Sequence, residues 1–211
     1  GGVIVDSGCF PWDQHKVRFA RLNEPDPSYH GVVYVEALGP AAFIGRARVV
    51  PLRNTGAAIS PFNSFLILQG IETLPVRMDR HCENALKAAE YLQGHSQVVW
   101  VNYPALANSP EKPLVDQYMG GRGSSILSFG IKGGRDAGAK FIDALQLVTR
   151  LVNIGDAKSL ACHPATTTHR QLSPAELARA GVSEDLVRLS IGIEHIDDIL
   201  ADLEQALVAA R

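Results

Sequence analysis

The arrangement of apolar and polar residues predicts a chain that changes character near residue 80. Before that point, residues 3–5 predict a short buried strand, and the prolines and glycines that follow predict a long irregular stretch. Ser60 and Pro61 predict a helix start, because serine can cap free N–H groups and proline suits the first helical position. Pro75 is expected to kink or restart this helix, which then continues to Gly94. The pattern therefore predicts a long helix that links two parts of the chain.

Beyond residue 80, short strands and amphipathic helices alternate. The predicted strands are 98–101, 127–131, 160–162 and 187–193. A helix carrying Phe141 to Val148 is predicted between the second and third of these. Ser173 and Glu176 have the spacing of a capping box, and an apolar stripe from Ile196 onwards predicts the last helix. This part of the chain is expected to be an α+β module.

The composition is that of a folded protein with balanced charge. Of its 211 residues, 46% are apolar and 20% are charged, which allows a substantial core. Lys and Arg number 20 against 22 Asp and Glu, with no long block of like charge. This balance gives no electrostatic footprint for nucleic acid or for an anionic membrane. Small molecules are therefore the expected partners.

Cysteine usage and the chain ends bear on the cellular compartment. Cys9, Cys82 and Cys162 are odd in number and far apart, so neither a disulfide framework nor a zinc site is expected. No apolar run approaches the roughly 18 residues of a membrane span, and no secretory signal is present. These features predict a cytoplasmic protein. The chain opens at Gly1 without a methionine, which suggests a truncated or processed start.

Arg188 is the main candidate for binding an anion. It lies in a predicted strand whose alternate residues are apolar, so its side chain is expected on the face opposite the core. A planar guanidinium there suits bidentate capture of a carboxylate. A surface arginine in a salt bridge explains the same spacing, and position alone favours that simpler explanation.

The segment from Asn153 to His169 gathers polar side chains around a turn and a strand, where specificity groups commonly lie. Asp156 and Ser159 could equally serve only to shape the turn. No metal site is expected, because His163 and His169 match no common zinc spacing. No nucleophile elbow occurs, and none of the six lysines lies in a setting that favours Schiff-base chemistry. The residues alone indicate an anion-binding pocket.

Several motifs in the same order and spacing resemble the Cys/Met-metabolism family of pyridoxal-phosphate enzymes. They are residues 60–63, 68–74, 77–78, 155–160, 163–165, 168–169 and 186–194. Within the family, the long segment 10–31 and residues 69–72 and 80–85 resemble the sulfhydrylase branch. The resemblance extends over essentially the whole chain, and the ordered set is far more specific than any one motif.

The resemblance implies an α/β fold class of the aspartate-aminotransferase-like type, known as fold type I. Residues 1–80 would be the C-terminal end of the large cofactor-binding domain together with the linking helix. Residues 81–211 would be a small α+β domain that closes over the substrate. The Schiff-base lysine is expected upstream of Gly1, so no catalytic, cofactor-binding or metal-binding residue is predicted in this chain.

The resemblance also implies a substrate site and its partners. Arg188 matches the arginine that holds the substrate α-carboxylate, and Asn153 falls where many relatives have a serine that contacts it. Ser159 is the third predicted substrate-binding residue. The implied cofactor of the intact enzyme is pyridoxal 5′-phosphate. The missing N-terminal portion and further copies in a homotetramer are the implied protein partners.

The implied activity is γ-replacement, in which O-acetyl-L-homoserine and sulfide or a small thiol give L-homocysteine or methionine and acetate. Val152 stands where cystathionine-handling relatives tend to carry an acidic residue, which argues against cystathionine as the substrate. Methionine γ-lyase is the nearest competing activity, and cystathionine-type lyases and synthases belong to the same family. A non-catalytic small-domain module is the alternative from another class.

Overall fold

The computed structural model describes residues 1–211 and divides into two compact units, residues 1–72 and 73–211. The division falls between Glu72 and Thr73, where one helix ends and the next begins. This division lies a few residues before the predicted boundary at 80/81. That boundary separates a cofactor-binding domain from a substrate-closing domain, and it stays a prediction. No helix combines the length and apolarity needed to cross a membrane.

The first unit is helical: its first four helices lie where the sequence predicted a long irregular stretch, and the fifth is the helix predicted from Ser60 and Pro61. These are α1 (Ala20–Asn23), α2 (Tyr34–Leu38), α3 (Ala42–Ala47), α4 (Arg53–Thr55) and α5 (Pro61–Glu72). Single turns of 3-10 helix lie at Trp12–His15 and Gly39–Ala41, and a π-helical turn lies at Arg48–Leu52. Prolines and glycines lie at or near the ends of these helices. They are so frequent that the sequence pattern did not indicate the short helical segments between them.

A small aromatic core holds the first unit together. Leu22, Tyr34 and Ala42 are buried, and the ring of Trp12 stacks on that of Phe43 with centroids 5.5 Å apart. The Tyr34 hydroxyl donates a hydrogen bond to Asp26 at 2.8 Å. Burial raises the pKa of Tyr34, so this hydroxyl keeps its proton. The bond ties α2 to the loop that precedes it.

The strand predicted at residues 3–5 is wrong. This segment has no regular structure, and Val3 and Val5 are 86% and 85% exposed. A strand is stable only when a neighbour completes its hydrogen bonds, and the first unit contains no sheet. An apolar run cannot by itself reveal whether such a neighbour is present.

Helix α5 exposes its apolar side chains. It begins where Ser60 and Pro61 predicted, and the Ser60 hydroxyl oxygen accepts the N–H of Asn63 at 3.2 Å. None of its residues is buried. The exposed apolar side chains are those of Phe62, Phe65, Leu66, Ile67, Leu68 and Ile71. Surface helices normally bury one apolar stripe, so α5 presents apolar surface to an unusual degree.

The second unit is a sheet with helices, as the α+β pattern predicted. Its helices are α6 (Leu74–Gly94), α7 (Lys112–Met119), α8 (Gly134–Ala144), α9 (Pro174–Arg179) and α10 (Ile196–Ala209). Its strands are β1 (Val98–Asn102), β2 (Ile126–Ile131), β3 (Thr149–Arg150), β4 (Leu160–Cys162) and β5 (Leu186–Ser190). The strand order is β1-β2-β5-β4-β3, with β3 and β4 parallel and the other neighbours antiparallel.

One face of this sheet forms the core of the second unit. Leu127 and Phe129 on β2 and Val187 and Leu189 on β5 are each no more than 1% exposed. They belong to one cluster with buried residues of α6, α8 and α10. Because side chains alternate along a strand, Arg188 lies on the opposite face, as predicted. The strand that carries Arg188 is the central strand of the sheet.

The helices of the second unit match the prediction in part. Ser173 and Glu176 form the predicted capping box at the start of α9. Helix α7 was not predicted, because it is short and buries only Val115. The helix predicted to run as far as Val148 ends at Ala144, and the following residues form a loop held by a buried carboxylate on α10.

Candidate functional site

A row of polar side chains crosses the sheet face opposite the core. Asn102, Ser128 and Arg188 are directly paired on β1, β2 and β5, and Cys162 pairs with Arg188 from β4. Directly paired residues place their side chains next to one another on the same face. The sheet thus assembles, around Arg188, groups that are far apart in the sequence.

The Arg188 guanidinium has one hydrogen bond within the chain. Its Nη2 donates to the backbone oxygen of Asn153 at 3.0 Å, which fixes one edge of the planar group. Other arginines pair with carboxylates, namely Arg46, Arg80, Arg122, Arg135 and Arg150. Arg188 has no such partner within this chain, so the structure gives no support to the salt-bridge explanation of its position. A guanidinium has five N–H donors, and most of those on Arg188 remain available to a ligand.

The loop that meets Arg188 exposes both a polar group and apolar side chains. The Asn153 Oδ1 accepts the N–H of Ile154 at 2.9 Å, while its amide nitrogen has no partner in the chain. Val152 and Ile154, on either side, are 48% and 68% exposed. Arg188 therefore contacts the main chain of Asn153 and leaves the amide group free to donate to a ligand.

Ser159 is fully buried, and its hydroxyl is occupied. The hydroxyl donates to Glu194 Oε2 at 2.9 Å and accepts the Gly192 N–H at 2.8 Å. This geometry gives Ser159 a part in holding the loop that carries Asn153. Contact between Ser159 and a substrate stays a prediction, and the committed hydroxyl does not favour it.

Cys162 and His163 are packed, neutral groups. Burial raises the pKa of the Cys162 thiol, and the charge of Arg188 offsets this only in part. His163 contacts the Glu184 carbonyl through Nε2 at 2.8 Å and Thr166 through Nδ1 at 2.9 Å. Burial lowers the His163 pKa, so the ring is uncharged near neutral pH. No three His, Cys, Asp or Glu side chains in the chain are arranged to hold a metal ion.

Comparison with known proteins gives the family. The model described as "Cys/Met metabolism PLP-dependent enzyme" matches residues 1–208. The chain belongs to this family. The match confirms the resemblance carried by the motifs, and it gives pyridoxal phosphate as the cofactor on which the family depends.

Curated relatives of this chain are sulfhydrylases. An O-acetyl-L-homoserine sulfhydrylase of Leptospira meyeri is 52% identical over 216 residues, covering 98% of this chain and 48% of the relative. Sulfhydrylase FUB7 of Fusarium oxysporum f. sp. lycopersici is 50% identical over 210 residues, covering 100% of this chain and 48% of the relative. The chain thus spans about half the length of the curated relatives it matches.

A solved structure confirms the fold class. A Campylobacter jejuni protein, described as an O-acetylhomoserine (thiol)-lyase, matches with a TM-score of 0.83 and 42% sequence identity. The match covers 91% of this chain and 45% of that chain. The Campylobacter structure contains pyridoxyl-lysine 5′-monophosphate. The α/β arrangement described above is therefore that of a pyridoxal-phosphate enzyme of this family.

The lysines of this chain do not fit the Schiff base that the cofactor requires. Lysines suited to this chemistry are desolvated, which lowers their pKa. Exposed lysines account for five of the six, namely Lys16, Lys87, Lys132, Lys140 and Lys158. The sixth, Lys112, pairs with Asp116 on the surface of α7. The structure thus offers an arginine with free donors beside a polar loop, and no lysine suited to the Schiff base.

Sequence reasoning overlooked the groups that support this site. Glu194 holds Ser159 through both carboxylate oxygens, and the Asn84 amide on α6 donates to the Glu194 carbonyl. Glu194 belongs to a motif that carried the family resemblance, yet no role was predicted for it. The spacing gave no signal, because the contact joins residues 35 positions apart.

Proposed function

We propose that this chain supplies the substrate-carboxylate part of the active site of an O-acetylhomoserine sulfhydrylase. In this reaction O-acetyl-L-homoserine loses acetate and gains sulfide or a small thiol, which yields L-homocysteine or methionine. The Schiff-base lysine and the contacts to pyridoxal phosphate come from outside this chain. One observation carries the proposal: Arg188 is held in place by a backbone carbonyl but has no carboxylate partner.

Arg188 has the geometry to bind an amino-acid carboxylate. A guanidinium forms two parallel N–H to oxygen bonds with a carboxylate, which fixes the orientation of the bound group. Its bond to the Asn153 backbone restricts rotation of the side chain before a ligand arrives. A substrate held in this way presents its Cα–H bond in one direction, and such alignment accelerates proton removal by a suitably placed base.

The loop beside Arg188 suits an uncharged distal group on the substrate. Val152 and Ile154 expose apolar side chains next to Asn153, and no acidic residue lies at these positions. An acetyl ester carries no charge, whereas the distal amino group of cystathionine needs a carboxylate partner. The free amide of Asn153 can add a second donor to the substrate carboxylate. These features support a small ester substrate.

The proposal extends to the state of the working protein. It includes the portion of the enzyme that supplies the lysine, a homotetrameric assembly and a cytoplasmic location. The free cysteines Cys82 and Cys162, both buried and unpaired in disulfides, support a reducing compartment. The assembly rests on the family resemblance alone.

Replacing Arg188 in the full-length enzyme that contains this chain tests the proposal. Arg188→Ala should lower kcat/KM for O-acetyl-L-homoserine roughly 100-fold, mainly through KM, because it removes charge-assisted hydrogen bonds. Arg188→Lys should lose roughly tenfold, because an ammonium keeps the charge but not the planar fork. Arg135→Ala is the matched control, since Arg135 pairs with Glu184 away from the polar row and should leave kcat/KM unchanged.

Product analysis completes this experiment. A sulfhydrylase releases acetate and homocysteine in equal amounts from O-acetyl-L-homoserine and sulfide. Release of ammonia, a 2-oxo acid and a thiol from methionine would instead identify a γ-lyase. An unchanged kcat/KM for Arg188→Ala would remove the carboxylate assignment. A full-length protein with no turnover of any sulfur amino acid would favour the non-catalytic module.

A further inference from the structure

Glu194 contacts the loop that carries Asn153 through its hydrogen bonds to Ser159. We infer that Glu194 is a positioning residue, which fixes the loop of residues 153–159 and thereby the place at which Asn153 meets Arg188. This inference rests on the proposed function, because it assigns Glu194 a part in binding the substrate carboxylate. It is carried by a set of hydrogen bonds between the loop, the end of β5 and helix α6.

Both oxygens of the Glu194 carboxylate accept hydrogen bonds from one residue of the loop, Ser159. Oε1 accepts the backbone N–H of Ser159 at 2.6 Å, and Oε2 accepts the Ser159 hydroxyl at 2.9 Å. Hydrogen bonds to an ionised acceptor are the stronger kind, and two of them from one residue define its orientation. Ser159 is therefore held at the point where the loop enters β4.

The same loop is joined to the end of β5 by two more bonds. The Gly192 N–H donates to the Ser159 hydroxyl at 2.8 Å, and the Ile193 N–H donates to the Ala157 carbonyl at 2.9 Å. The contact is so close that a Cβ on Gly192 would lie 2.2 Å from Glu194 Oε2 and 2.5 Å from Ser159 N. Only glycine leaves room for this approach.

Helix α6 fixes the segment that carries Glu194. The Asn84 amide donates to the Gly192 carbonyl at 3.1 Å and to the Glu194 carbonyl at 3.0 Å. His81 Nδ1 lies 2.6 Å from the Ile191 carbonyl, so this nitrogen carries the proton. Both side chains are completely buried. The backbone of residues 191–194 is therefore held by α6, while the Glu194 side chain contacts Ser159 in the loop.

A path of direct contacts therefore runs from α6 to Arg188. The helix holds residues 191–194, Glu194 holds Ser159, and the loop before Ser159 presents the Asn153 carbonyl to the guanidinium. Removing the Glu194 carboxylate leaves the Ser159 N–H and hydroxyl without these acceptors and takes away two of the four hydrogen bonds that join the loop to residues 192–194. Arg188 then loses its fixed acceptor, while its own charge is unchanged. The expected result is weaker carboxylate binding without loss of the guanidinium.

Binding of ligands without a leaving group to the full-length holoenzyme tests this inference. L-norleucine offers an α-carboxylate and no leaving group, and L-norleucinamide offers the same side chain without the negative charge. Calorimetric titration should show that Glu194→Ala raises the Kd of norleucine roughly 10- to 100-fold and leaves that of norleucinamide nearly unchanged. Glu194→Gln should lie between the parent and Glu194→Ala, because its remaining oxygen can still accept the Ser159 N–H.

Glu176 provides the matched control. Its Oε2 accepts the backbone N–H of Ser173 at 2.8 Å and the Ser173 hydroxyl at 2.7 Å, the same chemistry at the start of α9. Glu176→Ala should leave both Kd values unchanged. If Glu194→Ala does not accumulate as holoenzyme, Glu194→Gln and Ser159→Ala carry the test, and each should weaken norleucine binding selectively.

The outcomes separate this inference from the proposed function. Selective loss of norleucine binding in Glu194 variants supports the positioning role. Equal loss for both ligands, or a fall in Tm with an unchanged norleucine Kd, overturns it. Arg188→Ala is measured in parallel: if it weakens norleucine and Glu194→Ala does not, only the positioning role fails. If Arg188→Ala has no effect either, the carboxylate site itself is wrong.

Discussion

Cys162 lies directly opposite Arg188 on the antiparallel pair of β4 and β5, so a thiol and a guanidinium share one face of the sheet. A neighbouring positive charge lowers the pKa of a thiol, whereas burial raises it. Burial prevails here, and the pKa of Cys162 is raised above its ordinary value of 9.0. The thiol therefore packs beside the guanidinium as a neutral group and does not serve as a nucleophile.

The burial of two of the three cysteines predicts which of them will be alkylated. Near neutral pH, iodoacetamide should modify the exposed Cys9 and leave the buried Cys82 and Cys162 intact, because alkylation requires an accessible thiolate. Peptide mass spectrometry after timed quenching measures the modification of each site. The same reaction in guanidinium chloride is the control, in which all three should react. Rapid modification of Cys162 in the folded protein would contradict this assignment.

Asp202 shows how a single buried carboxylate shapes the second unit. Its two oxygens accept the backbone N–H groups of Gln146, Leu147 and Val148 at 2.8 to 3.0 Å. The N–H of the buried Val148 requires an acceptor, and no strand or helix supplies one in this loop. The carboxylate therefore stabilises the loop between the end of α8 and the start of β3.

We expect Asp202→Asn to lower the free energy of unfolding by about 2 to 4 kcal/mol, because an amide places a donor against N–H donors. Denaturation in guanidinium chloride, followed by circular dichroism, measures the change. Asp198→Asn is the control on the same helix, since Asp198 is exposed and should alter stability little. A variant at position 202 as stable as the parent would show that the loop finds other acceptors.

The sequence was informative where a local pattern determines the structure. Alternation along β5 predicted the face of Arg188, because one buried face imposes a period of two on any strand. The spacing of Ser173 and Glu176 predicted the start of α9, because a capping box needs only neighbouring residues. Residues 3–5 show the limit, since an apolar run predicts a strand only if a partner strand exists.

The candidate site was less predictable because its contacts are distant in sequence. Arg188 could be identified from its strand and from the family motif, but its single acceptor, the Asn153 carbonyl, could not. Ser159 was predicted to bind substrate, but in the structure its hydroxyl donates to Glu194. Which polar groups stay free for a ligand depends on the pairing of strands, and local spacing does not contain that information.

His163 should make the stability of the protein depend on pH. The ring packs against α8, where a Cβ added to Gly138 would lie 2.5 Å from Nε2, and burial lowers the pKa of His163 from its ordinary value of 6.5. The folded protein therefore binds this proton less readily than the unfolded chain. As the pH falls below 6.5, the unfolded chain gains a proton that the folded chain resists, so the stabilising contribution of neutral His163 is lost.

A pH series of denaturation curves for the parent and for His163→Gln isolates this contribution. Glutamine does not titrate, and the packing it removes costs the same free energy at every pH. We therefore expect the stability advantage of the parent over the variant to be constant above 6.5 and to shrink progressively as the pH is lowered. A difference between parent and His163→Gln that is independent of pH would mean that His163 is protonated equally well in the folded and unfolded chains.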